Sequence, residues 1–173
     1  MAQASVLTDS DIRRVFRIVE TTRHAERNRL AFVLSIYAGM RIGEIAALRI
    51  SDVANGEREP RREVKLSSQQ TKGSKGRTVV LSERVRREIA GYLKTRAQCR
   101  DDAPLLASQR NAGFFSNVSL SMVFKEIYEL AGIRTSSHSG RRTFATRLNE
   151  KGVGMKTTSR PSTGPQNASC FAF

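Results

Sequence analysis

The sequence predicts a mainly α-helical domain that carries one small antiparallel β-hairpin, an α+β fold. Several segments repeat apolar residues every three or four positions, as on one face of a helix. A single pair of short segments alternates apolar and polar residues around a glycine-containing stretch, which indicates a hairpin. With 173 residues, the chain is long enough for one domain with a hydrophobic core.

The helices are predicted from start signals and apolar spacing. Thr8 can cap a first helix, in which Ile12, Val15 and Val19 repeat at helical spacing and which we expect to end near Thr21. Further helices are predicted over residues 26–38, from residue 41 onward, and over residues 83–100, 119–131 and 139–150, with a loop over residues 53–61.

The hairpin and the end of the chain complete the predicted organisation. Val64 and Leu66 form one alternating segment and Val79 and Leu81 the other, with two glycines in the turn over residues 71–76. After Gly152 the chain is rich in proline, glycine, serine and threonine without a helical or strand period. We expect one domain over residues 1–152 and a disordered tail over residues 153–173.

The charge balance favours a polyanionic partner. Thirty Lys and Arg residues against sixteen Asp and Glu give a formal net charge of +14. Of the thirty cations 23 are arginine, whose planar fork matches a phosphate group. Double-stranded DNA is therefore the expected partner. A ribosomal or merely basic protein, or arginine usage set by genomic base composition, remains an alternative at this point.

Cofactors and membranes are not expected. Cys99 and Cys170 are too few and too far apart for a zinc site or a disulfide framework. The longest apolar stretch, residues 30–40, is too short to span a bilayer, and the N-terminus lacks a signal-peptide pattern. We expect a cytoplasmic protein that needs no metal or cofactor.

Arg41 is the first candidate for the functional site. It lies four and seven residues before Ile45 and Leu48, on the helix face that we expect to be buried. Glu44, three residues on, can orient the guanidinium and leave other donors free for a phosphate. The alternative is a simple internal salt bridge.

A similar arrangement recurs at Arg141, which shares a helix stripe with Ala145 and Leu148. His138 precedes this helix, where backbone N–H groups and the helix dipole favour an anion. Arg142 points away from that stripe, which suits solvent or a backbone phosphate. A purely structural role is the alternative for His138.

Lys72 lies in the glycine-containing hairpin turn, where the backbone can approach a ligand and the ammonium group can reach outward. By itself this observation is weak, because a lysine in a turn commonly serves solubility.

Three motifs in this order resemble the catalytic domain of tyrosine recombinases, the phage integrase family. They are YAGMRIGEIAAL (37–48), TKGSKGRTVVL (71–81) and HSGRRTFATRL (138–148). The resemblance covers residues 5 to 152. It implies the tyrosine recombinase catalytic-domain fold and site-specific recombination or integration of DNA, with a tetramer of recombinases on DNA.

The resemblance also implies roles for individual residues. Arg41 and Arg141 would bind the non-bridging phosphate oxygens, Lys72 would protonate the leaving 5′-oxygen, and His138 would assist proton transfer. A tyrosine would attack the phosphate and form a 3′-phosphotyrosyl link that a 5′-hydroxyl later resolves. Glu44 would support Arg41, and the expected DNA contacts are Lys75, Arg77 and Arg142.

The last part of the sequence departs from the family pattern. Family members continue with a Gly-His motif and a nucleophilic tyrosine, and this sequence has neither. Its tyrosines, Tyr37, Tyr92 and Tyr128, all precede Arg141, and Phe173 ends the sequence. We therefore expect a catalytic domain that is incomplete at its C-terminus and inactive alone. Our hypothesis is a frameshift near Lys156, which requires that another reading frame encode the missing motifs.

The beginning of the chain and other function classes complete the expectations. The chain starts near the catalytic domain, without the preceding helical domain of most family members, which weakens the expected DNA affinity. A non-catalytic DNA-binding remnant, or an interfering partner of an intact recombinase, is the main alternative. A metal-dependent nuclease is disfavoured because Glu44 is the one carboxylate expected beside the arginines. A helix-turn-helix regulator would not require the lysine hairpin.

Overall fold

A computed structural model describes residues 5–71, 76–110 and 112–152. These residues form a mainly helical fold with a two-stranded antiparallel sheet, which confirms the predicted fold class. In chain order the elements are α1 (Asp9–Thr21), α2 (Ala25–Tyr37), α3 (Ile42–Ala46), α4 (Ile50–Val53), β1 (Glu63–Leu66), β2 (Arg77–Val80), α5 (Glu83–Thr95), α6 (Asn117–Leu130) and α7 (Ser139–Glu150).

Helix α1 begins where the sequence predicts. The Thr8 hydroxyl accepts a hydrogen bond from the Asp11 amide at 3.1 Å, and the Asp11 carboxylate accepts one from the Thr8 amide at 2.9 Å. This reciprocal pair satisfies amide groups that have no partner within the helix. Ile12, Val15 and Val19 are buried, as the helical spacing predicts.

Helix α2 is the centre of the core. It packs against α1, α3, α5 and α7, and residues 30–36 are all buried. The Phe32 ring stacks on Phe124 of α6 with a centroid distance of 4.1 Å and meets Tyr128 edge-on at 5.3 Å. Aromatic contacts of this kind add to the stabilisation from buried apolar area.

The two strands form the predicted hairpin. They pair in antiparallel register, with Val64 opposite Val79 and Leu66 opposite Arg77. The side chains of Val64, Leu66 and Val79 are buried, so one face of the ribbon covers the core. The turn residues Lys72 and Lys75 lie outside the described residues.

The helix predicted from residue 41 onward is divided into two short helices, α3 and α4. The predicted third helix is interrupted, because residues 48–51 pair with residues 101–105 instead. Leu105 donates its amide hydrogen to the Leu48 carbonyl at 2.8 Å, and Ile50 donates to the Ala103 carbonyl at 3.1 Å. The chain then forms α4, which the sequence analysis did not separate from α3.

The fifth helix is shorter than predicted. It ends at Thr95 rather than near residue 100, and the Arg96 amide folds back to the Leu93 carbonyl at 3.0 Å. Leu93 is its last buried residue. Without an apolar face beyond that point, nothing holds the polar continuation in a helix.

Helix α6 begins two residues before its predicted start at residue 119. The earlier start is due to an N-terminal cap that the sequence did not predict. The Ser116 hydroxyl accepts a hydrogen bond from the Ser119 amide at 3.0 Å. Helix α7 matches its predicted range. The tail over residues 153–173 lies outside the described residues, so the domain boundary at residue 152 stays a prediction. No helix in the described ranges is long and apolar enough to cross a membrane.

Candidate active site

The site begins at the turn that follows α2. Gly39 has a φ of +61°, and a Cβ atom there would lie 2.2 Å from Cδ1 of Phe144 on α7. The left-handed backbone and the missing side chain are therefore both required at this position. The turn brings the next residues, including Arg41, back beside α7.

Arg41 immediately precedes α3, and its backbone amide and its side chain both bind the same carboxylate, that of Glu44. Glu44 accepts hydrogen bonds from the Arg41 amide and from Arg41 Nη1, both at 2.8 Å. This pairing was predicted, but the expected burial of Arg41 on a helix face is wrong. Arg41 has an extended backbone outside the helix and a side chain that is 40% exposed, whereas the Glu44 side chain is 1% exposed.

Arg77 of β2 approaches Glu44 from the other side. Its Nε and Nη2 atoms donate to the two carboxylate oxygens at 3.0 and 2.6 Å, a bidentate geometry. Although burial alone favours the protonated acid, the hydrogen bonds from Arg77 and Arg41 hold the pKa of Glu44 below its ordinary value. Glu44 is therefore an anion that fixes two guanidinium groups.

Arg141 lies in the first turn of α7, which packs closely on α2. A Cβ atom on Gly140 would lie 2.4 Å from Ser35 Oγ and 3.1 Å from Ile36 Cγ1, so glycine permits the close approach. Arg141 Nη1 donates a hydrogen bond to the Gly39 carbonyl. Burial and the positive charges of Arg41 and Arg77 lower the pKa of Arg141 to about 10.

The predicted burial of Arg141 on a stripe with Ala145 and Leu148 is wrong. The buried residues of α7 are Ser139, Gly140 and Thr143, whereas Arg141 is half-buried. Small side chains form the contact with α2 because the two backbones are too close for larger ones. The arginine therefore lies beside this contact, where its guanidinium group can reach both Gly39 and solvent.

The other predicted site residues lie in different surroundings. His138 is exposed, immediately before α7, and its side chain does not cap the helix. Arg142 is half-exposed on α7. Arg77 binds Glu44, so its predicted contact with DNA stays a prediction, as does that of Arg142. The predicted roles of Lys72 and Lys75 fall on residues outside the described part of the chain.

The structure thus brings together Arg41, Glu44, Arg77 and Arg141, which we call the arginine–glutamate cluster. Three positive charges surround one negative charge. Burial and, after it, the positive charges of Arg41 and Arg77 lower the pKa of Arg141. Such an arrangement attracts an anion with several oxygen acceptors, since guanidinium groups bind phosphate through paired hydrogen bonds. Within the described residues, no group of three or more His, Cys, Asp or Glu side chains could hold a metal ion.

Sequence reasoning missed two parts of this site. The first is the partnership of Arg77 with Glu44, which are 33 positions apart, so that no local spacing indicates it. The second is the Gly39 carbonyl, which accepts a hydrogen bond from Arg141 and a long one of 3.5 Å from Arg77. A glycine after a buried helix indicated the turn but not its role as an acceptor.

Comparison with known proteins places this geometry in a family. The model of the phage integrase family matches residues 5–160. The tyrosine recombinase XerA of Pyrococcus furiosus is 28% identical over 153 residues, which make up 87% of this chain and 50% of that protein. The chain spans about half the length of the curated relatives it matches.

Solved structures share the fold. The crystal structure of a XerA recombinase matches with a TM-score of 0.71 at 22% identity, over 91% of this chain and 53% of that one. The Tn1549 transposon integrase, solved in complex with transposon right-end DNA, matches with a TM-score of 0.68 at 18% identity, over 91% of this chain and 57% of that one. With the family model matching residues 5–160 of 173, the chain belongs to the phage integrase family, the tyrosine recombinases.

Proposed function

We propose that the chain binds double-stranded DNA and holds a backbone phosphate at the arginine–glutamate cluster, as part of site-specific DNA breakage and rejoining. The observation that supports this most directly is the excess of positive charge around the buried Glu44. The net charge of +14 adds long-range attraction to the same partner. The DNA complex of the related Tn1549 integrase is consistent with that partner.

In this proposal Arg41 and Arg141 contact the non-bridging oxygens of the scissile phosphate. The negative charge on those oxygens grows as a nucleophile attacks the phosphorus, so fixed guanidinium donors stabilise the transition state more than the ground state. Glu44 and Arg77 act as positioning residues, because they hold Arg41 without needing to touch the phosphate. His138 and Lys72 complete the predicted set as groups for proton transfer to and from the reacting oxygens.

We also propose that none of the three tyrosines is the nucleophile, so that strand cleavage by these 173 residues requires a tyrosine supplied from outside them, for which a second recombinase protomer is one source. Tyr128 is fully buried, and burial raises its pKa, as it does that of Tyr92. The Tyr37 ring stacks on Phe16 and lies beneath Arg84, whose guanidinium is 3.9 Å from the ring centroid. Each ring is thus engaged in packing, and this chain alone would bind DNA without cutting it.

Covalent trapping tests both parts. A nicked suicide substrate is incubated with the chain alone or with the chain plus a second tyrosine recombinase. This added recombinase retains its nucleophilic tyrosine but lacks the arginine that corresponds to Arg141. Protein–DNA adducts are then detected on a denaturing gel. We expect no adduct with the chain alone and an adduct on the added protein in the mixture. That adduct should disappear when the chain carries Arg141→Gln.

The remaining outcomes discriminate the alternatives. An adduct on this chain would show that one of its tyrosines is the nucleophile and would overturn the second part of the proposal. Salt-sensitive DNA binding without an adduct in the mixture would favour a non-catalytic DNA-binding protein or an interfering partner of an intact recombinase. Failure to bind DNA would overturn the proposal as a whole.

A further inference from the structure

A second cluster of positive charge lies at the opposite end of α2 from the arginine–glutamate cluster. A cavity of about 530 Å³ opens there between the start of α2, the end of α5 and residues 107–109. We call it the basic cavity. The side chains that matter for its chemistry are Arg23, His24, Arg27, Tyr92 and Arg96.

Arg27 is a buried cation without a counter-charge. It is 8% exposed, and its donors go to the Asn28 side chain at 2.9 and 3.2 Å and to the Ala107 carbonyl at 3.3 Å. Its guanidinium lies 5.0 Å from the centroid of Phe115. No carboxylate in the described parts of the chain pairs with it, and burial lowers its pKa. An unpaired buried charge is unfavourable unless an anion joins it.

Two further side chains add donors without partners. Arg96 donates from Nη2 to the Pro104 carbonyl at 3.0 Å, but its buried Nε has no hydrogen-bond partner. His24 Nε2 is likewise buried and unpartnered. Burial, together with the positive charges of Arg27 and Arg23, lowers the pKa of His24.

Tyr92 and the first turn of α2 complete the wall of the cavity. The Tyr92 side chain lines the cavity and is 8% exposed. The first turn of α2 adds amide groups to the same wall, and His24 does not cap them with its side chain.

We propose that the basic cavity binds a phosphate group, distinct from the phosphate at the arginine–glutamate cluster. Its donors come from three segments of the chain, so a tetrahedral anion meets more of them than a planar carboxylate does. A phosphate also suits the start of a helix, where amide donors and the helix dipole favour negative charge. Glu26 is exposed at the cavity and leaves the positive charge of Arg27 and Arg96 in excess.

The binding site can be located by NMR on the full chain. Inorganic phosphate and a nucleoside monophosphate are titrated into the labelled protein at constant ionic strength, and the amide signals are followed. We expect saturable shifts at residues 24–27 and at Arg96, in addition to any shifts around Gly39 and Arg41. Shifts confined to the arginine–glutamate cluster, or none at all, would overturn the proposal.

Matched variants test the donors. Tyr92→Phe and Arg96→Gln should each weaken binding at residues 24–27 by about tenfold, the factor for one lost hydrogen bond to a charged group. Tyr37→Phe and Arg13→Gln make the same chemical changes outside the cavity and should leave this binding unchanged. Equal effects of the cavity variants and their controls would show that the cavity is not the site.

A parallel measurement of binding to duplex DNA distinguishes two sources of the phosphate. If the cavity takes a backbone phosphate of DNA, Arg96→Gln weakens duplex binding as well as phosphate binding. If it takes a free phosphorylated molecule, Arg96→Gln weakens phosphate binding and leaves duplex binding at the level of Arg13→Gln. Either pattern supports a phosphate site. If Arg96→Gln weakens neither phosphate binding nor duplex binding, the proposal is overturned, whatever the outcome of the strand-cleavage experiment.

Discussion

Glu44 is the single negative charge among the four side chains of the arginine–glutamate cluster. Its carboxylate is almost fully buried and receives hydrogen bonds from Arg77, from the Arg41 side chain and from the Arg41 backbone. The protein therefore uses one acid to hold two cations near a third. Removing that charge would leave repulsion between guanidinium groups that solvent screens only in part.

We expect Glu44→Gln to lower the free energy of unfolding by about 3 kcal/mol, since a buried ion pair loses one partner. Urea denaturation measures this change. Glu83→Gln is the matched control, because Glu83 pairs with Arg86 at 2.9 Å but is 63% exposed. The control should cost at most about 1 kcal/mol. Equal losses in the two variants would show that Glu44 has no special structural role.

The lowered pKa of Glu44 also predicts a pH dependence. A carboxyl group with a lower pKa in the folded state stabilises the protein fully above its unfolded-state pKa and loses this effect as the pH falls through the folded value. Urea midpoints should therefore decrease below about pH 4.3, the ordinary glutamate pKa. The decrease should be smaller in Glu44→Gln. An identical pH profile in both proteins would contradict the shift.

For single residues, the sequence predicts ion pairs between near neighbours in the chain and misses those between distant positions. The pairing of Arg41 with Glu44 follows from a separation of three residues. The pairing of Arg77 with Glu44 depends on how the hairpin lies against α3, which no local spacing reveals. Arg27 was missed for a related reason. Its burial depends on Ala107 and Phe115, which approach it only in the folded chain.

At the scale of elements, the contact between α2 and α7 places Arg141 beside Gly39. This contact relies on Gly140, where a Cβ atom would lie 2.4 Å from Ser35 Oγ and 3.0 Å from Ser35 Cβ. The α7 helix carries small residues at its buried positions as a result. Any side chain at residue 140 would push the two helices apart and move Arg141 with them.

We expect Gly140→Ala to destabilise the protein by about 1–3 kcal/mol through overpacking. The loss should be smaller when Ser35→Ala removes the nearest atom, which a double-mutant cycle in urea would measure. Gly91→Ala on α5 is the control. Nothing lies within 4 Å of its added Cβ, so alanine should stabilise this helix by about 0.5–1 kcal/mol. Similar losses at both glycines would contradict the packing argument.

The elements themselves were largely predictable where their apolar spacing was strong. The ranges of α1 and α7 agree with the sequence, because a cap or a glycine marks their ends. The boundary between α3 and α4 was not predictable. It results from pairing between residues 48–51 and residues 101–105, and tertiary contacts of this kind override local helix preference.

At the scale of the whole molecule, the net charge of +14 controls how the chain meets a polyanion. On the proposed function, DNA binding should weaken steeply with salt, because each neutralised phosphate releases counterions. Arg141→Gln should reduce the slope of log K against log salt by about 0.9, the contribution of one phosphate contact. Fluorescence anisotropy at several salt concentrations measures the slope. An unchanged slope would show that Arg141 makes no phosphate contact.

Because α2 packs against α1, α3, α5 and α7, it cannot open without disrupting most of the fold. Its central amides should therefore exchange with deuterium only through global unfolding, and their exchange rates report the stability of the whole molecule. The helix spans roughly 20 Å, from 13 residues at about 1.5 Å each. The basic cavity and the arginine–glutamate cluster, at its two ends, are thus joined by a segment whose amides we expect to be among the slowest of the protein to exchange.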